Sequence, residues 1–462
     1  MKPHELAQFA LPPGEVEEAA ARAFAFALAE GLDKKAARRR LRDAIRKPHR
    51  YLRDPGFGAL AALLKASRDA FQPRETPAPF RQWGEDLEEN SIQQMRNACA
   101  LPVSVRGALM PDAHLGYGLP IGGVLATQGA VIPYAVGVDI ACRVKMTVLD
   151  LPLETLDDDV PNLTRSIDTE TRFGIGAHFK RPRQHDVLDE DWSVTPVTAD
   201  LKSKAWKQLG TSGSGNHFVE FGKLEVTDPG VGVAPGSYLA LLSHSGSRGA
   251  GATVADHYSR LAMQLHPELP YDLRHLSWLD LDTAAGQEYW QAMELMGKYA
   301  AANHACIHRH VTGALGAEVL LDLENHHNFA WKEEHDGETV IVHRKGATPA
   351  GEGVLGIIPG SMATSTYVVR GKGDADSLHS SSHGAGRVMS RKKAKETLSW
   401  SVARKMLDER GVTLLSAGLD EVPMVYKNID SVMAAQADLV EPLARFEPRL
   451  VKMAPAGEPP ED

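Results

Sequence analysis

The segment His379-Ser-Ser-Ser-His383-Gly384-Ala385-Gly386-Arg387-Val-Met-Ser-Arg391 places imidazoles beside a glycine turn and two guanidinium groups. A neutral histidine nitrogen can attack phosphorus and keep the group as a phosphoramidate, while arginine forks neutralise the oxygens that gain charge. Read alone, the same residues fit a solvated surface turn about equally well. The rest of the chain has to decide.

Five further clusters hold side chains that are costly to bury. Gly137-Val-Asp139-Ile-Ala-Cys142 sets a carboxylate and a thiol three apart, an arrangement that suits a shared cation but also a capping aspartate near a buried cysteine. Gly210-Thr-Ser-Gly-Ser-Gly215-Asn216-His217-Phe218-Val219-Glu220 joins a glycine-rich loop, whose N–H groups suit phosphate, to an amide, an imidazole and an acid that can accept the paired donors of a guanine edge. Ser243-His244-Ser-Gly-Ser-Arg248-Gly249 follows an apolar strand, offering a metal ligand and a phosphate fork. In Glu324-Asn-His326-His327-Asn328, neighbours on an extended segment face opposite ways, so one of the two histidines reaches a common site. Pro359-Gly360-Ser361-Met362-Ala-Thr364-Ser-Thr366-Tyr367 is a hydroxyl-rich loop that suits a base or ribose, and equally a plain turn.

Asp139, Cys142, His217, His244 and one of His326 and His327 supply enough ligands for two divalent cations if Cys142 bridges them. Such a pair clamps the attacking and leaving oxygens in phosphoryl chemistry. Ligand softness by itself favours zinc over manganese.

The elements that must position these groups read as α+β. Short apolar strands are expected at 122–126, 144–149, 238–242, 339–342 and 367–369, helices across 284–312 and 391–409, and a polar loop near 180–200. Before them lies a different kind of sequence. Pro12-Pro13-Gly14 precedes an Ala/Glu-rich run, Asp33 can cap a basic helix that stops at Pro48, and Asp54-Pro55 opens a third helix. Pro73, Pro77 and Pro79 mark a linker. Residues 1–81 are therefore expected to be a helical accessory region with linker, 82–454 the catalytic domain, and 455–462 a frayed tail.

With 462 residues and 43% hydrophobic content the chain has ample core. The cysteines, Cys99, Cys142 and Cys306, are odd in number and far apart, which argues against a disulfide framework and for a reducing cytoplasm. No secretory leader or membrane span is expected. Net charge is −9, yet residues 34–50 hold nine Lys/Arg against Asp43 alone, and 387–405 hold seven against Glu396. Local basic tracts in an acidic chain suit a focused polyanion site; for the first tract a solvated helix face is the simpler reading.

Taken in order, Met110-Pro-Asp-Ala-His-Leu-Gly-Tyr-Gly, Val138-Asp-Ile-Ala-Cys142, Gly215-Asn-His-Phe, His244-Ser-Gly-Ser-Arg-Gly, Val342-His-Arg-Lys-Gly-Ala-Thr, Ile358-Pro-Gly-Ser-Met and His383-Gly-Ala-Gly-Arg-Val-Met-Ser-Arg resemble the motifs of the RtcB family of RNA ligases, from about Gln82 to Lys452. The resemblance implies a fold of central mixed β-sheets flanked by helices. It implies that His383 takes GMP from GTP, and that two manganese ions are held by Asp139, Cys142 and His217 and by Cys142, His244 and His327. It further implies a guanylate pocket lined by Asn216, His217, Phe218, Val219, Glu220, His327, Asn328, Pro359, Gly360, Ser361, Met362, Thr366, His383, Gly384, Ala385, Gly386 and Lys452, with Tyr426 close by.

The implied reaction joins RNA 2′,3′-cyclic-phosphate or 3′-phosphate ends to 5′-hydroxyl ends in RNA repair or tRNA splicing, with an archease-type activator as a possible partner. Arg248, Arg387 and Arg391 are the expected RNA-phosphate contacts. The chain departs from the family pattern at Arg143, where glycine is usual and a cation would stand beside the metals, at Ala363 and Thr366, and at Leu378-His379 in place of Phe-Gly. A two-metal phosphoesterase and a non-catalytic RNA-binding paralogue are the competing readings. The segment before residue 82 lies outside the resemblance and suits either RNA positioning or packing.

Overall fold

The computed structural model describes residues 5–6 and 8–458. Two sheets carry it. The larger has the strand order Leu355–Ile358, Thr366–Gly371, Val440–Met453, Phe218–Val226, Gly236–Ser245, Arg143–Leu149, Val319–His326, with Thr413–Ser416 parallel to Val440–Met453. The other runs Phe80–Gln82, Ser104–His114, Ile121–Thr127, Glu338–Lys345, Asn328–His335. Every expected strand lies within one of these, and the mixed α+β architecture matches the expectation. The sheet-bearing part already includes Phe80, which pairs with Gly107, two residues ahead of the anticipated boundary.

The large sheet is buried on both faces, which is why its strands read as near-continuous apolar runs. One face holds Val144, Met146, Val148, Leu224, Ala240, Leu242 and Phe446. The other holds Val219, Phe221, Leu239 and Leu241 against Ile307 and Val311. These two belong to the 32-residue helix Ala284–Leu315, which Thr283 caps by accepting from the Gly286 N–H and which Gly316 ends at φ 65°. Each fully buried aliphatic or aromatic side chain contributes about 1.5–3 kcal/mol. No helix among the described residues is long and apolar enough to cross a membrane.

Two expectations change. The helix over 391–409 is broken into Arg391–Thr397 and Trp400–Glu409, because Leu398 and Ser399 adopt extended backbone. The polar loop ends at Thr195, which forms a capping box with Thr198 at the start of the helix Pro196–Gln208. In the tail, residues 455–458 are described, with Glu458 accepting from the Ile175 N–H; the rest of the expected frayed tail lies outside the described residues.

The N-terminal helices Glu15–Ala29, Lys34–Arg46 and Gly58–Asp69 pack around Phe24, Leu41, Phe57 and Leu60. Asp33 caps the second as expected, while Asp54 accepts from Gly56 and Phe57 in the turn before the third. Tyr271 packs against this cluster from the sheet-bearing part.

Strand ends define the site. Ser104–His114, Glu338–Lys345, Gly236–Ser245 and Val319–His326 finish there, and Arg143–Leu149, Phe218–Val226 and Asn328–His335 begin there.

Candidate active site

A cavity of about 490 Å³ opens where these strand ends meet. Its floor is the ligand cluster. Cys142 Sγ lies 3.1 Å from His244 Nε2 and 3.5 Å from His217 Nε2. Asp139 Oδ2 is 3.1 Å from His217 Nε2, and His244 Nε2 is 3.2 Å from His327 Nε2. Asp139, Cys142 and His217 form one buried triad and Cys142, His244 and His327 another. Strand alternation settles the histidine pair: His327 enters the site, whereas His326 stacks on Phe329 and Trp331.

The donor set fits metal ions. His217 Nδ1 is 3.0 Å from the Ser212 carbonyl and His244 Nδ1 is 3.1 Å from the Asn216 carbonyl. A carbonyl only accepts, so each Nδ1 carries the proton and each Nε2 presents a lone pair inward. Arg248 Nη1 lies 3.3 Å from His217 Nδ1, but the shorter carbonyl contact fixes the tautomer. Burial pushes His244 down to about 3 and His327 well below its ordinary range, so both are neutral ligands. Lone pairs, a thiol and a carboxylate facing one another inside the protein call for cations between them.

The backbone around the ligands leaves little slack. A Cβ on Gly246 would stand 2.2 Å from Asp139 Oδ1. Buried Asn303 accepts from the Gly210 N–H and donates to the Thr211 carbonyl and Ser245 Oγ, clamping the glycine-rich loop onto the strand that bears His244. Asn328 accepts from the Gly346 N–H and donates to the Asp139 carbonyl, tying the metal loop to the turn beneath His383.

His383 stands over this floor, its ring 5.0 Å from that of His327. Its Nδ1 is 2.7 Å from Asp112 Oδ2, which also accepts from the backbone N–H of His383 and Gly384. Asp112 is fully buried; burial pushes its pKa up, but its contact with His383 outweighs this and brings it below the ordinary value. Nδ1 therefore donates to the carboxylate, and the Nε2 lone pair is free to act as nucleophile.

Asn216, Phe218, Glu220, Asn328, Pro359, Gly360, Ser361, Met362, Thr366, Gly384, Ala385, Gly386 and Tyr426 line the cavity. Glu220 is buried, and burial raises its pKa well above the ordinary carboxylate value. Arg387 and Arg391 also line it, held by Glu421 and Asp420.

Four of the expected residues lie apart from the cavity lining. Val219 alternates away from Phe218 and Glu220 and packs with Phe221 under the sheet. Lys452 pairs with Asp168 on the face opposite the cavity-lining Val451 and Met453. Arg248 is only 2% exposed; its guanidinium fills the space a side chain on Gly213 would need, so it shapes the glycine-rich loop and does not face RNA. Arg143, next to Cys142 at the start of its strand, turns to Glu324, with its Nη1 pairing at 3.0 Å. Of the other departures, Ala363 packs in an apolar cluster, Thr366 lines the cavity, and Leu378 and His379 hold the left-handed backbone, at φ 54° and 51°, that glycine adopts more readily.

Sequence reasoning assigned no role to Asp112, His114 or Lys345. All three sit in motifs that carried the family resemblance, and an acid or lysine inside an apolar strand was the available signal. Lys345 lines the cavity, donates to the Tyr117 carbonyl at 2.5 Å, and is pushed down to about 7 by burial. His114, also lining it, is pushed by burial to about 4. A third ligand-like cluster, Glu333, His335 and His379, lies apart from the cavity; there Arg344 donates to both Glu333 oxygens.

The fold and the paired ligand triads define a member of the RtcB family: the family model described as tRNA-splicing ligase RtcB matches residues 94–195 and 189–453, and the chain belongs to that family. It is 35% identical over 395 residues to the RNA-splicing ligase RtcB of Escherichia coli K12, covering 79% of this chain and 94% of that relative. The tRNA-splicing ligase RtcB of Nanoarchaeum equitans is 34% identical over 438 residues, with 78% and 91% covered. The RNA-splicing ligase RtcB of Mycobacterium tuberculosis is 32% identical over 426 residues, with 77% and 98% covered.

Proposed function

We propose that the protein joins an RNA 3′-phosphate or 2′,3′-cyclic-phosphate end to a 5′-hydroxyl end, using GTP and a guanylate carried on His383. The observation that carries this reading is the pairing of His383 Nδ1 with buried Asp112, which leaves Nε2 as a neutral nucleophile above the ligand cluster. Two manganese ions, one on Asp139, Cys142 and His217 and one on Cys142, His244 and His327, would neutralise the oxygens of the transferring phosphate.

In the first step His383 Nε2 attacks the α-phosphorus of GTP, the bond to the β-phosphate oxygen breaks, and pyrophosphate leaves. Asp112 accepts from the imidazolium that forms and stabilises its charge. Lys345, at the cavity wall, is placed to meet the departing charge. Glu220 as a carboxylate accepts from guanine N1–H and N2–H and finds no such pair of donors on adenine. In the second step an RNA 3′-phosphate, formed from the cyclic phosphate by addition of water, attacks the guanylate phosphorus and frees His383. In the third the 5′-hydroxyl attacks the activated 3′-phosphate, its proton is lost, and GMP leaves. Arg387 and Arg391 can exchange Glu421 and Asp420 for RNA phosphates.

The test is incubation with α-labelled GTP and manganese, followed by joining of a broken tRNA stem-loop. Label should remain on the wild-type chain through denaturation and vanish in His383→Ala. An unlabelled wild type that still opens the cyclic phosphate would be a phosphoesterase; one that only binds RNA would be a non-catalytic paralogue.

A further inference from the structure

The basic helix Lys34–Arg46 precedes the region that the family model matches, and its charges are ordered. Lys35, Arg39, Arg42 and Arg46 are all exposed and follow the spacing i, i+4, i+7, i+11. At about 100° per residue these positions fall on one line along the helix, while buried Ala37, Leu41, Ala44 and Ile45 occupy the opposite face. With a rise of about 1.5 Å per residue the line of cations is about 16 Å long.

Two of the other basic residues of the helix are spent on structure. Arg38 pairs with Glu5, and Arg40 pairs with Glu30 and Asp54. Lys35, Arg39 and Arg42 have no acidic partner among the described residues, and Arg46 reaches only exposed Asp272, at 3.8 Å. Like charges in a row repel one another, so a stripe with a single distant acid, Asp272, beside it in a chain of net charge −9 has an electrostatic cost that a bound polyanion removes.

The stripe is also connected to the cavity. Arg46 lies over the Tyr271 ring at 5.7 Å, at the start of the short helical turn Tyr271–Leu276. His275 of that turn packs its ring on Tyr117 and Tyr134, at 5.7 and 4.7 Å, and both tyrosines line the cavity. Tyr117 is 66% exposed at the rim, an open face on which a nucleobase can stack.

We infer that the stripe Lys35, Arg39, Arg42 and Arg46 is a docking surface for the phosphate backbone of the RNA body, away from the ends being joined. The inference rests on the ligase reading for its substrate, but its contact is one the matched family region does not contain. The helical unit thus makes the protein prefer a structured RNA, long enough to reach from rim to stripe, over a short strand that fills the cavity alone.

The test uses the full chain with Lys35→Glu, Arg39→Glu and Arg42→Glu combined, and a second variant with glutamine at the same positions to guard against misfolding. Both are read by guanylation, by joining of a short unstructured pair of oligonucleotides, and by joining and filter binding of a broken tRNA. Guanylation and short-strand joining should match wild type, while KM for the broken tRNA rises about tenfold or more and the slope of log K against log salt falls by about two to three. Unchanged tRNA affinity and salt slope in a folded, guanylated variant would overturn the inference. Failure of wild type to guanylate would strike the ligase reading alone, because the salt slope of tRNA binding still reports on the stripe.

Discussion

Asp112 Oδ2 accepts from His383 Nδ1 at 2.7 Å from a strand of the five-stranded sheet, while His383 follows the short strand Ser380–Ser382, which pairs outside it. The His383 imidazole is thus oriented by a residue 271 positions away in sequence.

Asp112→Asn keeps the shape but offers the imidazole an amide in place of a carboxylate. The rate of His383 guanylation should fall by about 10²-fold or more, measured by single-turnover labelling with α-labelled GTP. Folding carries a linked signature. Because the folded pKa of Asp112 is lowered, the pair's stabilisation is present above the unfolded carboxylate value of about 3.9 and is lost as pH falls through the folded one. The stability gap between wild type and Asp112→Asn in urea should therefore close on acidification below about pH 4.

If the cavity takes GTP as proposed, Glu220 and Lys345 should shape its binding from opposite sides of neutrality. Burial raises the Glu220 pKa well above its ordinary value, so guanine binding should strengthen as pH rises through it; Glu220→Gln should flatten that limb and weaken GTP by about 10- to 100-fold with little change for ATP. Lys345, pushed down to about 7, carries its charge below that pH, so GTP binding should weaken above it. Lys345→Arg should move the alkaline limb upward. A GTP affinity without an alkaline limb near 7 in wild type would remove Lys345 from this role.

Gly246→Ala drives a Cβ to within 2.2 Å of Asp139 Oδ1. The displaced carboxylate should weaken manganese binding by about 10- to 100-fold, read by electron paramagnetic resonance titration, while the urea midpoint changes far less.

Arg143→Met removes the residue that most visibly departs from the family pattern. Since its guanidinium pairs with Glu324 away from the cavity, guanylation and joining should stay within about threefold of wild type. Replacing a buried charge by an apolar side chain of similar reach should leave stability unchanged or higher by about 1 kcal/mol, measured by urea unfolding. A large loss of joining with intact guanylation would put Arg143 back on the RNA path.

The candidate ligand set was legible because each of its residues stands at one end of an apolar strand and carries a recognisable neighbour, as in Val138-Asp-Ile-Ala-Cys142 and His244-Ser-Gly-Ser-Arg-Gly. Placement on one face of a strand was legible only where alternation was applied. It separates His327 from His326, and the same rule turns Val219 and Lys452 away from a pocket that residue-by-residue transfer had given them. Arg248 could not be placed from sequence, since its burial depends on the empty space over Gly213 in a loop from elsewhere in the chain. The break at Leu398–Ser399 is hidden for a local reason: residues 391–397 and 400–409 on either side of it both have helical composition, and the N-cap position of Ser399 lies inside that pattern. An aspartate in an apolar strand signals a buried role for Asp112 but does not name the partner, because His383 reaches it only on folding.

Cys142 supplies its single sulfur to both ligand triads. One atom is therefore a common point of failure for the whole centre: oxidation of that thiolate, or its capture by a softer ion, would strip a donor from both positions at once. Loading the first position fixes the sulfur for the second, so occupancy of the pair should rise together and not in two independent stages.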